Sequence, residues 1–133
     1  MRRLTVFLAL LAIACGSDSS TTPGGSIAGT WSLKTINGTS LPFVVAQSGT
    51  NKVEIVGDVY VISGTGSFTQ TTTVKTTTNG VATTQSVADA GTYTLNGTAI
   101  TVRYNSDGST ATGSWSGNTI TVAQDGLAAV YTR

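Results

Sequence analysis

The sequence predicts an all-β, antiparallel domain, and three observations lead there. From Ile27 onward, polar and apolar residues alternate with a period of two. Six turn dipeptides punctuate that alternation: Asn37-Gly38, Asn79-Gly80, Asn96-Gly97, Asp107-Gly108, Gly117-Asn118 and Asp125-Gly126. The chain of 133 residues carries 26 Thr, 14 Ser and 16 Gly. Thr favours the extended backbone through its branched Cβ, and none of the three is a strong helix former. Parallel strands would need crossover helices, and no segment has a 3.6-residue period. The expected architecture is an antiparallel meander closed into a small up-and-down barrel of about 8–10 short strands. A β-sandwich is the alternative, and a signal helix and flexible tether are expected to precede the domain.

Residues 1–14 read as a signal peptide. Arg2 and Arg3 precede an apolar run from Leu4 to Ala14. At 1.5 Å per residue that run is too short to cross roughly 30 Å of hydrocarbon, and it matches the apolar region of a secretory signal. Removing it takes away Arg2 and Arg3 and leaves five basic and six acidic side chains. The faint basicity of the whole chain therefore belongs to the signal, and no basic patch for nucleic acid remains. Residues 15–26 hold the lone cysteine, Cys15, and a small, polar, Gly/Ser/Thr-rich stretch with no apolar periodicity, read as a linker.

The domain is expected over 27–133. Its expected strands are 28–36, 43–47, 52–63, 67–78, 81–88, 92–95, 99–104, 110–115, 119–123 and 127–132. Alternation is clearest late in the chain. There Tyr93 and Leu95, then Ile100, Val102 and Tyr104, then Ile120 and Val122, each share a face opposite Thr or Arg. This is the pattern of a sheet buried on one side. The stretch 69–85 is largely polar on both faces. It reads as a long hairpin solvated on both sides, or as a polar lining or lid for a cavity.

Two resemblances add to this. Leu11-Ala12-Ile13-Ala14-Cys15 resembles the lipobox of bacterial lipoproteins. The resemblance implies cleavage before Cys15, acylation of that residue, and a bilayer partner in the cell envelope, with Gly16 favouring the outer membrane. Two or three acyl chains would anchor stably where one binds marginally. An ordinary signal peptide cut after Ala14, leaving a free thiol, is the alternative reading. Gly29-Thr30-Trp31-Ser32-Leu33, followed by the meander and by Gly91-Thr92-Tyr93-Thr94-Leu95, resembles the lipocalin-like domains of small bacterial lipoproteins. That likeness implies that Gly29 and Trp31 mark the closed end of a barrel and that Arg133 packs across the indole. It also implies a small hydrophobic ligand, with Phe68, Tyr93 and Tyr104 as candidate cavity lining. A filled barrel serving as a structural or interaction module of the envelope is the alternative, and no protein partner is identified.

The residues needed for catalysis are scarce. The chain has no His and one Cys, which excludes a His-based active site, a His zinc site and an internal disulfide. No metal or cofactor is expected, and no enzyme activity. Asp107 and Asp125 precede Gly in turns, Asp89 near Gly91 is read the same way, and Asp18 falls in the linker. Glu54 and Asp58 are the two acids within a strand region. Four residues apart, they are expected on one solvent-facing side, about 13 Å apart at 3.3 Å per residue, too far for a catalytic pair.

Overall fold

The computed structural model describes residues 26–133; the expected signal helix, Cys15 and the linker before Ser26 lie outside them. Ten strands follow one another: β1 (Gly29–Ile36), β2 (Thr39–Ser40), β3 (Phe43–Ser48), β4 (Asn51–Ile62), β5 (Ser67–Thr78), β6 (Val81–Asn96), β7 (Ala99–Tyr104), β8 (Thr110–Ser116), β9 (Thr119–Gln124) and β10 (Leu127–Thr132). Every pairing is antiparallel, and β4 to β10 form a meander. β1 pairs with β10 through Ser32–Ile36 and with β4 through Gly29–Ser32. That double pairing closes an eight-stranded barrel, so the fold is a barrel and not a sandwich. β2 and β3 are additions on the edges of β1 and β4.

The turn chemistry divides by where the ladders end. Asn37-Gly38, Asn79-Gly80 and Asp125-Gly126 have positive φ at both residues, as type I′ turns require. Asn96 pairs with Ala99 and Ser116 with Thr119. The two-residue loops there are Gly97-Thr98 and Gly117-Asn118, with positive φ at the leading Gly alone, the type II′ arrangement. Asp107-Gly108 belongs to a longer loop, where the Asp107 carboxylate accepts from the Ser109 amide at 2.8 Å. Hydrogen bonding from the Ser109 side chain, and then from its amide, lowers the pKa of the acid.

Two expectations about strands change. The segments 81–88 and 92–95 are one strand of 16 residues, not two short ones. Gly91 lies within it as a point of close approach and makes no turn. A Cβ there would fall 2.0 Å from the Arg103 carbonyl oxygen and 2.7 Å from the Phe68 ring. Asp89 is correspondingly a strand residue, accepting from Ser106 Oγ at 2.6 Å. The period of two also breaks at bulges. One in β1 between Leu33 and Thr35 lets Trp31, Leu33 and Ile36 all point inward. One in β4 between Ile55 and Gly57 reverses the side-chain parity of that strand.

Trp31 fills one end of the barrel. It is fully buried, and its Nε1–H donates to the Ile27 carbonyl at 2.8 Å. The Arg133 guanidinium lies 4.5 Å from the ring centroid on the outer side and donates to the Ala28 carbonyl at 3.0 Å. Above Trp31 the core continues through Ile62, Ile100, Trp115 and Ile120. At the other end, β5 and the first half of β6 extend past the barrel wall. β6 meets β7 only over Gly91–Asn96, and Val81–Ala88 are exposed throughout. Replacing Trp31 with Ala should lower unfolding free energy by about 3–5 kcal/mol. Urea denaturation measures this, and a loss under about 1 kcal/mol would contradict the burial.

Candidate functional site

The barrel interior changes character along its axis. At the level of Phe68, Tyr93, Ile100, Val102 and Ile120 the side chains leave only about 10 Å³ of space. Phe68 and Tyr93, expected to line a cavity, belong to this packed layer. Phe68 meets Tyr60 and Tyr104 edge to face at centroid distances of 5.3 and 5.5 Å. Tyr93 donates to the Ser63 carbonyl at 2.5 Å. Above this layer a cavity of about 180 Å³ opens toward the end opposite Trp31. Leu33 and Ile36 of β1, Ile55 of β4, Val122 of β9 and Leu127 and Ala129 of β10 form its apolar wall. Tyr104, Tyr60 and Tyr131 line its floor.

Among the polar residues lining this cavity is Asp58, and here the solvent-facing expectation fails. Asp58 is 4% exposed and lies inside the barrel. The bulge in β4 is the physical cause. Ile55 and Asp58 both line the cavity, although they are three residues apart. Glu54, adjacent to Ile55, therefore points to the other side of the sheet. It too is buried, and its carboxylate pairs with Lys52 Nζ at 2.9 Å.

Three neutral donors hold the Asp58 carboxylate. Thr72 Oγ1 donates to Oδ1 at 2.6 Å; Gln70 Nε2 and Tyr131 Oη donate to Oδ2 at 2.8 and 2.6 Å. β5 supplies Gln70 and Thr72, and the register Asp58↔Thr72 places the hydroxyl directly opposite the acid. Tyr131 reaches across from β10. Next to this group, the Tyr60 and Tyr104 hydroxyls share a short hydrogen bond, and the Tyr60 and Tyr131 rings pack edge to face at 4.9 Å. Burial raises the ionisation of all three phenols above the ordinary value of 10.0. For Tyr131 the neighbouring Asp58 charge adds to burial. The phenols therefore stay protonated and act as donors throughout the neutral range.

The sequence carried one signal for this site that the solvent-facing expectation did not use. Asp58 follows Gly57 and precedes Val59-Tyr60-Val61-Ile62, so it shares a face with Tyr60 and Ile62. Among the described residues no group of three metal-ligating side chains comes together.

Stability should be independent of these phenols below about pH 9 and fall as the pH rises above 10. The folded state keeps three protons that the unfolded chain releases, so each contributes a loss of about 1.4 kcal/mol per pH unit once the unfolded phenol ionises. Urea midpoints measured from pH 8 to 12 test this. The phenolate absorbance of these residues should arise together with unfolding; its appearance in the folded protein near pH 10 would contradict the burial.

No family model and no curated protein matches the sequence. Among solved structures, the chain is similar to a lipocalin-like protein from Bacteroides uniformis ATCC 8492, with 19% identity and a TM-score of 0.46, covering 82% of this chain and 99% of that one.

Proposed function

We propose that this chain is a membrane-tethered binding protein whose barrel holds one small, largely apolar molecule at its open end and catalyses no reaction on it. The cavity of about 180 Å³ carries this reading. Eight-stranded barrels have interiors just wide enough to be filled by side chains or to hold one small ligand. Here the lower half is filled and the upper half is open. A cavity of about 150 Å³ already accepts benzene or xenon. The absence of His in the chain and the engagement of Asp58 by three fixed donors support a binding role over general acid–base chemistry. The lipobox-like segment ending at Cys15 supports attachment to the bilayer of the cell envelope, with the outer membrane as the proposed site.

A second reading has its own observation. The outer edge of β6 over Val81–Ala88 has no strand beside it among the described residues, carries no charge and no Pro, and exposes Val81 and Val87 at 67% and 59%. An unprotected edge of this kind can add a strand from a protein partner.

Benzene titrated into the protein and followed by methyl NMR should shift Leu33, Ile36 and Val122 and leave Ile27 and Ile100 unmoved. Absence of any shift at saturating benzene overturns the binding reading. For the anchor, Cys15→Ala should move the protein out of the membrane fraction, and the wild-type N-terminus should carry acyl chains by mass spectrometry. A variant that remains membrane-bound overturns it.

A further inference from the structure

We propose that the molecule taken by this cavity is a small organic cation: an ammonium group on an apolar body of about the size of benzene. The inference rests on the binding reading above and adds the ligand's charge.

Buried carboxylates are normally compensated by a cation, because an isolated charge in an apolar interior is strongly disfavoured. Glu54 follows this rule through Lys52. Asp58, equally buried, does not: its three partners are an amide and two hydroxyls. None of the five basic residues of the described chain pairs with Asp58. Lys52 is on Glu54, and Lys75 stands opposite Glu54 in the β4–β5 register, on the side away from the cavity. Arg103 is exposed between the inward-facing Val102 and Tyr104, Lys34 is exposed at the β1 bulge, and Arg133 covers Trp31 at the far end. A second carboxylate, Asp125, stands at the rim of the same cavity, and no lining residue is basic. The cavity is therefore lined by two acids without a counter-charge.

The local chemistry fits an ammonium. Asp58 Oδ1 receives one hydrogen bond and Oδ2 two, so Oδ1 retains a free acceptor position. Tyr60, Tyr104 and Tyr131 stay protonated beside it and add aromatic surface of the kind that attracts cations. The apolar wall of Leu33, Ile36, Val122 and Leu127 suits the body of the ligand. A carboxylate ligand would meet repulsion from Asp58, and a neutral one would leave its charge unmatched.

Three probes of nearly one shape separate these cases: benzylammonium, benzyl alcohol and benzoate, titrated by NMR at pH 7 and low salt. The expected result is benzylammonium binding at least about tenfold more tightly than benzyl alcohol, benzoate not binding, and shifts centred on Asp58, Ala129 and Tyr131. Asp58→Asn should bring benzylammonium to the level of benzyl alcohol. If that variant does not fold, Ala129→Phe, which fills the cavity from its wall, should abolish benzylammonium binding. Benzyl alcohol binding as tightly as benzylammonium, or a preference that survives Asp58→Asn, overturns the charge inference and leaves the binding reading in place. If none of the three enters the cavity, both fall.

Discussion

The closure of the barrel rests on a single strand that joins two wall neighbours, β4 and β10. β1 gives Gly29–Ser32 to β4 and Ser32–Ile36 to β10, with Ser32 shared by both ladders. A strand in a sheet has two edges, and here neither edge is used along its whole length. Past Ser32, β1 parts from β4. On the β4 side, pairing with β1 ends at Val59, and pairing with β3 begins again only at Ile55. The interval Val56–Asp58 is where the wall is thinnest. The bulges of β1 and β4 both fall at this opening, as does Asp58.

The polar group inside the barrel therefore does structural work at the opening of its wall. Tyr131 of β10 and Thr72 and Gln70 of β5 converge on one carboxylate of β4, so three strands are joined by side chains near the place where backbone pairing lapses. Hydrogen bonds to an ionised acceptor are stronger than neutral ones, and all three lie at 2.6–2.8 Å. The same carboxylate marks the boundary between the filled aromatic layer and the open cavity. One residue thus sets both the cohesion of the upper barrel and the character of the space above it.

Much of this was legible in the sequence, and what was not has an identifiable cause. Alternation placed Ile100, Val102, Tyr104, Ile120 and Val122 on the buried face, and they are buried. The Thr-rich hairpin was legible because both faces are largely polar, and its outer strand is exposed along Val81–Ala88. Asp58 was not, because strict alternation puts it on the face of Glu54, whereas one inserted residue in β4 puts it opposite. A bulge shifts parity without changing composition, so a period of two carried across it assigns every later side chain to the wrong face. Leu33 and Ile36, three apart and both apolar, record such an insertion in β1; in β4 the corresponding pair is Ile55 and Asp58, and the acid disguises it. Gly91 was misread for a different reason. Glycine marks a tight contact as readily as a turn, and the groups that make the contact, the Arg103 carbonyl and the Phe68 ring, lie on other strands.

The direction in which the chain enters the barrel also orients it. Ile27 and Ala28 lie against Trp31 and Arg133, so whatever precedes Ser26 attaches beneath the plugged end. Ten residues separate Cys15 from Ser26 and span at most about 35 Å when fully extended. Under the proposed lipid anchor, the tether would therefore meet the barrel at its plugged base. The cavity and the overhanging hairpin stand at the opposite end, remote from that attachment point, so tether and ligand would not compete for the same mouth.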